Sequence, residues 1–417
     1  MNKSIIVKKG TLRGKVRISG AKNCALKLLT ASILTKEPVE LFDSPNGLLD
    51  IEVHIGMLRK MGKECIERDG YLKIIENQSI ETELLWNERS IRNSLLILGA
   101  LTTRFGKGKV PLPGGCKLGE RKYDIHVDVL TALGANVFEE GDYLCAEVKD
   151  KCLKGAEIIL PIRSTGATEN AILSSCIAQG ETTIWNPHIR PEIIDLITML
   201  NKMGASIEVF GQKCIVVDGV KALSGVTHTV VPDNMEALTW AIGSVITGGD
   251  VEIQNFPYEH LEVPLVYLRE SGMKFYKGKD SLIVKGGSAY PIEISTGPYP
   301  GINSDMQPLF AVYGAMSRGE SKIVDLRFPG RYGYAGELAQ MGMSYHAEGD
   351  MLVIDGGSSL QGATVTALDL RAGIALLLAG LTAEGVTTIE NAWQIGRGYE
   401  NLNEKLNGLG IKIQFKD

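Results

Sequence analysis

The chain has 417 residues, more than one ordinary hydrophobic core accommodates, so two domains are expected. Its 44% hydrophobic and 22% charged residues are those of a globular protein, and a net charge of −5 offers no basic surface for nucleic acid. Seven cysteines without a C-x-x-C pair argue against a disulfide framework or zinc site, the longest apolar run ("GIALLLAGL") is far too short for a membrane helix, and "MNKSIIVKKG" lacks a signal peptide's apolar core, so a cytoplasmic protein with no membrane partner is expected.

In chain order, one pattern recurs six times: an apolar helix, a short strand, a loop, an amphipathic helix ending at Gly, then alternating strands. The first unit opens at "AKNCALKLL", continues through "PVEL" and closes its second helix at Met61-Gly62. The second runs from "IRNSLLILG" through "KVPL" and the loop "PLPGGCKLGER" to Leu133-Gly134, and the third from "STGATENAIL" through "TTIW" to Met203-Gly204. The fourth has "PDNMEALTWAI", "VEIQ" and Ser271-Gly272, and the fifth "NSDMQPLFAV", "SKIV" and Met341-Gly342. The sixth has "DLRAGIALLL", "TTIE" and Leu409-Gly410. The glycines are spaced by 72, 70, 68, 70 and 68 residues and suit left-handed helix C-caps.

A final strand opens with Leu-x-Gly at Leu153-Lys154-Gly155, Leu223-Ser224-Gly225 and Leu360-Gln361-Gly362. The same signature, Leu12-Arg13-Gly14, precedes the first unit, and the sixth unit ends without it. Residues 1 to about 21 are therefore expected to supply strands that the last unit lacks. Two α/β domains of three units follow: residues 22–230, carrying the Cys116 loop, and residues 1–21 with 231–417, with a hinge between them.

Equivalent positions carry the chemistry. The apolar helices start with Lys22 and Asn23, Arg92, Ser164 and Thr165, Asp233, Asp305, and Arg371. The loops after the short strands carry Cys116 and Arg121, His188 and Arg190, His260, Arg327 and Arg331, and Arg397. Asp and Ser at a helix start are ordinary caps. Lys22, Arg92 and Arg371 are not, because the macrodipole disfavours cations there unless an anion offsets them. Arginine matches carboxylate and phosphate bidentately, so a cleft for a substrate with several negative charges is expected.

The stretches "SGAKNCAL" (19–26), "LPGGCKLGER" (112–121), "DIH" (124–126), "GATEN" (166–170), "SDMQP" (304–308), "DLRAG" (369–373) and "RGYE" (397–400) make the chain resemble the enolpyruvyl transferase family. The resemblance implies two inside-out α/β domains, each of three βαβαββ repeats. It also implies transfer of the enolpyruvyl group of phosphoenolpyruvate to the 3-hydroxyl of UDP-N-acetylglucosamine with release of phosphate, the first committed step of peptidoglycan synthesis. No metal, organic cofactor or obligate protein partner is implied. Cys116 is then the proton donor, its thiolate favoured by Lys117 and Arg121. Asp305 is the base for the sugar hydroxyl; Lys22, Arg121 and Arg397 contact the phosphate; Arg331 and Arg371 clamp the carboxylate. Asn23, Arg92, Lys122, Tyr123, Ile125, Ser164, Thr165 and Gly166 complete the substrate-binding set. Lys122 stands where the family usually has proline, Thr165 where it has valine, and Tyr334 where histidine is common. Those departures keep open another nucleotide acceptor, such as UMP.

Overall fold

All six helix-ending glycines adopt positive φ: Gly62 (106°), Gly134 (95°), Gly204 (97°), Gly272 (95°), Gly342 (99°) and Gly410 (80°). A side chain at such an angle meets its own carbonyl, so glycine ends the helix and lets the chain turn into a strand. The computed structural model describes residues 4–112 and 123–416, and the expected site residues Cys116, Arg121 and Lys122 lie outside them.

The chain divides into two units, residues 20–231 and residues 1–19 with 232–417, each with its own hydrophobic core. In the first, helix Ser94–Phe105 packs against helices Lys22–Ala31 and Thr165–Ser175. In the second, helices Asn234–Ile246, Gln307–Ala315 and Leu370–Thr382 pack against one another. These helices are apolar on nearly every face: every residue from Arg371 to Leu381 is buried. Helices of this kind belong at a core's centre. Strands such as Ser4–Lys8, which buries Ile5 and Val7 but not their neighbours, bury alternate residues and form the outer layer. Helices inside and sheets outside make the two α/β units inside-out, as expected.

Among the described residues five sheets have four strands and one has three. In each four-stranded sheet the central strand has a parallel neighbour on one side and two successive antiparallel strands on the other. Strand Glu181–Trp185 shows the arrangement, lying parallel to Glu157–Ile159 and antiparallel to Cys214–Asp218. The Leu-x-Gly signature has a packing reason. The leucines Leu12, Leu153, Leu223 and Leu360 are buried. A Cβ on Gly155 would lie 2.2 Å from Glu181 O, and one on Gly362 would lie 2.3 Å from Val386 O, so only glycine permits the close approach. In the three-stranded sheet a bridge between Glu83 and Lys109 stands where the parallel strand lies in the others; the signature is not essential to that strand, since Glu293–Ser295 pairs parallel with Ser321–Val324 without it.

The N-terminal segment completes two sheets of the second unit. Strand Ser4–Lys8 lies antiparallel between Val386–Glu390 and Gln414–Lys416. Strand Arg13–Arg17 runs parallel to Asp250–Gln254. Ile5 and Val7 drive the first pairing, each buried and contributing roughly 1.5–3 kcal/mol. In the other unit, Val226–Thr229 returns to pair with Val39–Phe42 and closes the ring of three repeats. Among the described residues no helix is long and apolar enough to cross a membrane.

Gly204 tests the cap reading, because a Cβ there meets nothing within 4 Å and only the backbone angle is at stake. Gly204→Ala is expected to cost about 1–2 kcal/mol, lowering the thermal midpoint by about 2–8 °C in calorimetry.

Candidate active site

In the unit of residues 1–19 and 232–417 two repeats each place one carboxylate near an arginine supplied by the third. Asp233 caps helix Asn234–Ile246, its Oδ1 accepting from Met235 N at 2.8 Å and Glu236 N at 3.0 Å. Asp305 sits in the 3-10 turn Ser304–Met306 ahead of helix Gln307–Ala315, not in the helix itself. Arg371 is the second residue of helix Leu370–Thr382. Its side chain is 4% exposed, with Nε 3.6 Å from Asp305 Oδ2. Burial opposes its charge, but Tyr399, Asp305 and Asp233 outweigh that and hold its pKa above the usual arginine value.

Arg331 closes the cluster. Its Nη1 donates to Asp305 Oδ1 at 3.0 Å and its Nη2 to Asp369 Oδ2 at 3.4 Å. Asp369 Oδ1 caps the helix bearing Arg371, accepting from Arg371 N and Ala372 N at 2.8 Å each. Asp305 thus lies between two guanidinium groups, one on each carboxylate oxygen. The cationic helix start at Arg371 is offset by carboxylates of the chain itself. Arg371 Nε and Nη1 are nonetheless buried without a hydrogen-bond partner among the described residues. Buried donors of that kind are costly, and an anion with two oxygens would satisfy them. Arg397 ends the turn Ala392–Arg397, with Nη1 donating to Gln394 Oε1 at 3.0 Å.

In the unit of residues 20–231, Lys22 begins helix Lys22–Ala31 and is buried, its Nζ 3.3 Å from Asp50 Oδ2. Asp50 lies in the first turn of helix Leu49–Lys60, so again a carboxylate offsets the cation. Asn23 is half-buried beside it. Arg92 precedes helix Ser94–Phe105 by two residues instead of starting it. Lys27 joins all three repeats, donating to Asn93 Oδ1 at 3.2 Å and lying 3.5 Å from Glu169 Oε2. Burial, opposed by Lys27, pushes the Glu169 carboxyl up to about 7.

Ser164 caps helix Thr165–Ser175, its Oγ accepting from Ala167 N at 3.3 Å. Thr165 Oγ1 pairs with His188 Nδ1 at 2.9 Å. Gly166 lies against His126: a Cβ there would be 3.1 Å from Cε1 and Nε2 of the ring. His126 and Ile125 belong to helix Asp124–Ala132, and Tyr123 immediately before it donates to Glu139 Oε1. The structure therefore gathers Ser164, Thr165 and Gly166 with His126 and His188. Burial, reinforced by Arg92 and Lys27, lowers the His126 pKa to about 3, so its imidazole is neutral near pH 7.

Asp50, Asp369 and Tyr399 were not singled out from sequence. Asp369 carried a partial signal, since Asp two residues before Arg371 reads as an N-cap, but its bond to Arg331 joins separate repeats. Tyr399 lies in the stretch "RGYE" but nothing there assigns it a role, and Asp50 in an amphipathic helix carried no signal.

The fold is shared with solved enolpyruvyl transferases, and comparison with known proteins shows the family. Residues 6–406 match the EPSP synthase (3-phosphoshikimate 1-carboxyvinyltransferase) family, to which the chain belongs. It is 40% identical over 417 residues to UDP-N-acetylglucosamine 1-carboxyvinyltransferase 1 of Carboxydothermus hydrogenoformans, covering 99% of this chain and 98% of that one. It is 39% identical over 422 residues to UDP-N-acetylglucosamine 1-carboxyvinyltransferase of Pasteurella multocida, covering 99% and 98%. Among solved structures, the enolpyruvyl transferase NikO from Streptomyces tendae shares the fold at a TM-score of 0.89 and 24% identity, over 100% and 99% of the two chains. EPSP synthase from Acinetobacter baumannii does so at 0.75 and 17% identity, over 100% of both.

The neutral His126 carries a prediction. Its folded pKa lies below the free value of 6.5, so below about pH 6.5 the unfolded chain binds the extra proton and stability is lost as pH falls. His54, also lowered to about 3 by burial, acts in the same sense, while Glu169 acts in the opposite one. Urea unfolding of wild type and His126→Gln at about pH 7 and pH 5 isolates the first. The variant is expected to lose less stability than wild type on acidification, by about 1–2 kcal/mol.

Proposed function

We propose that the chain transfers the enolpyruvyl group of phosphoenolpyruvate to the 3-hydroxyl of UDP-N-acetylglucosamine and releases phosphate, the first committed step of peptidoglycan synthesis. The full-length relatives carrying that activity in their names support the acceptor. The observation that carries the anion side is Arg371, a buried guanidinium with unbonded Nε and Nη1 that shares Asp305 with Arg331.

In this reading Arg331 and Arg371 take the substrate carboxylate, displacing Asp305 from the position it holds between them. Asp305, relieved of those two cations, becomes a stronger base and removes the proton of the sugar hydroxyl. That oxygen attacks C2 while the Cys116 thiol protonates the methylene carbon, giving a tetrahedral adduct. The thiolate then takes a proton back from the new methyl group, the double bond re-forms and the C2–O bond to phosphate breaks. Lys22, Arg121 and Arg397 bind the phosphate and stabilise its charge as it leaves. Asn23, Arg92, Lys122, Tyr123, Ile125, Ser164, Thr165 and Gly166 hold the nucleotide sugar.

Steady-state phosphate release from phosphoenolpyruvate with UDP-N-acetylglucosamine is the test, and its absence under all conditions sinks the proposal. Release with UMP but not with the sugar nucleotide replaces the acceptor. Arg371→Ala is expected to lower kcat/KM for phosphoenolpyruvate by about 10²–10³-fold, mainly through KM. Cys116→Asp is expected to stay active while thiol alkylation ceases to inactivate; an inactive variant would instead assign the sulfur a covalent role.

A further inference from the structure

The segment Ser304–Pro308 supplies Asp305, yet Ser304 and Gln307 on either side take no part in the chemistry above. Both are buried, and both turn towards Asp325, a fully buried carboxylate just after strand Ser321–Val324. Asp325 Oδ1 accepts from Thr296 Oγ1 at 2.6 Å and from the amides of Arg327 at 2.9 Å and Phe328 at 3.0 Å. Oδ2 accepts from Ser304 Oγ at 2.7 Å and from Gln307 Nε2. Tyr334 Oη donates to Gln307 Oε1 at 3.0 Å, which turns the amide so that Nε2 faces the carboxylate.

The directions of these bonds matter. An ionised carboxylate only accepts, so the Ser304 hydrogen is committed to Asp325 and the Ser304 lone pairs face the other way. Arg331 Nη1 donates to Ser304 Oγ at 3.3 Å and to Asp305 Oδ1 at 3.0 Å. A hydrogen-bonded chain of fixed direction therefore runs from Asp325 through Ser304 to Arg331 and Asp305. Buried networks whose members are all satisfied rigidify their surroundings. Asp325 acts by a second route as well, because its bonds to the Arg327 and Phe328 amides fold the turn whose far end is Arg331, held by Arg331 N to Phe328 O at 3.1 Å. Burial pushes the Asp325 carboxyl up, but bonds from Ser304 and Thr296 outweigh it and keep the group ionised.

We propose that Asp325, with Ser304, Gln307 and Tyr334, is the positioning element of the carboxylate clamp: a buried anion that sets where Arg331 stands and, through it, where Asp305 stands. This rests on the enolpyruvyl-transfer reading. The four are positioning residues and touch no substrate. Tyr334 acts as the donor that orients Gln307.

The test is a set of phosphate-release kinetics with thermal midpoints for wild type, Asp325→Asn, Ser304→Ala, Tyr334→Phe, Arg331→Ala and the Asp325→Asn/Arg331→Ala double variant. Asp325→Asn is expected to lower kcat/KM for phosphoenolpyruvate by about 30-fold or more and Ser304→Ala by about 10-fold, with KM for the nucleotide sugar changed less than about twofold. Because Asp325 acts through Arg331, the double variant should be no worse than Arg331→Ala within a factor of about 3. Losses that multiply in the double variant, or that raise both KM values alike in step with a falling midpoint, overturn the proposal. Ser304→Ala and Tyr334→Phe each remove one neutral hydroxyl and report even if Asp325→Asn does not fold. A wild type that releases no phosphate overturns the functional reading itself; an active wild type matched by all three network variants overturns only the positioning role.

Discussion

Burying a guanidinium is the constraint on which the unit of residues 1–19 and 232–417 depends. Removing such an ion from water costs several kcal/mol after relaxation, and only nearby anions and hydrogen bonds offset it. Arg371 receives the anions, from Asp305 and Asp233, without receiving all the hydrogen bonds. The packing of three apolar helices makes this possible, because their N-terminal ends and the residues just before them bring Asp233, Asp305 and Arg371 together. No single repeat could assemble that cluster.

Other buried charges in the chain show the contrast. Lys63 Nζ donates to Ser32 O at 3.0 Å, Thr35 O at 2.8 Å and Glu76 Oε2 at 2.8 Å, using all three of its hydrogens. Arg104 binds the same Glu76 through two nitrogens at 2.6 and 2.8 Å. Glu236 accepts from Lys405 Nζ at 2.5 Å, Trp240 Nε1 at 3.1 Å and Ser19 N at 3.0 Å. Such clusters are complete in themselves and serve to clasp segments distant in sequence. The Arg371 cluster is incomplete: among the described residues of its unit Thr387 Oγ1 is the other buried side-chain atom without a partner, and two unbonded donors on one guanidinium mark a place for a ligand.

Cations at helix starts are offset differently than residue types suggest. Sequence reasoning calls for a bound anion, whereas the protein places its own carboxylates there: Asp50 at Lys22, and Asp305 at Arg371. Asp305 therefore occupies, in the protein alone, the kind of contact a substrate carboxylate makes in the proposed reaction. Such an exchange lets one group stabilise the folded protein and still serve as a base once displaced.

Much of the fold was legible because it is periodic. Glycine at a left-handed cap recurs in all six repeats and leucine-x-glycine before four of the parallel strands, because each glycine lacks the Cβ that the local geometry would not admit. Six repeats, their apolar helices and the α/β class follow from those signals. Which carboxylate meets which arginine does not. Asp369 lies 38 residues from Arg331, Ser304 lies 27 residues from it and Asp325 lies 21 residues from Ser304, and nothing in their local sequence distinguishes a cap or a core polar residue from a positioning group. The sequence alone determined the repeat, the class and the chemical kinds of side chain at each helix start. Tertiary packing decided the partners, because hydrogen-bond direction and burial arise only where separate repeats meet.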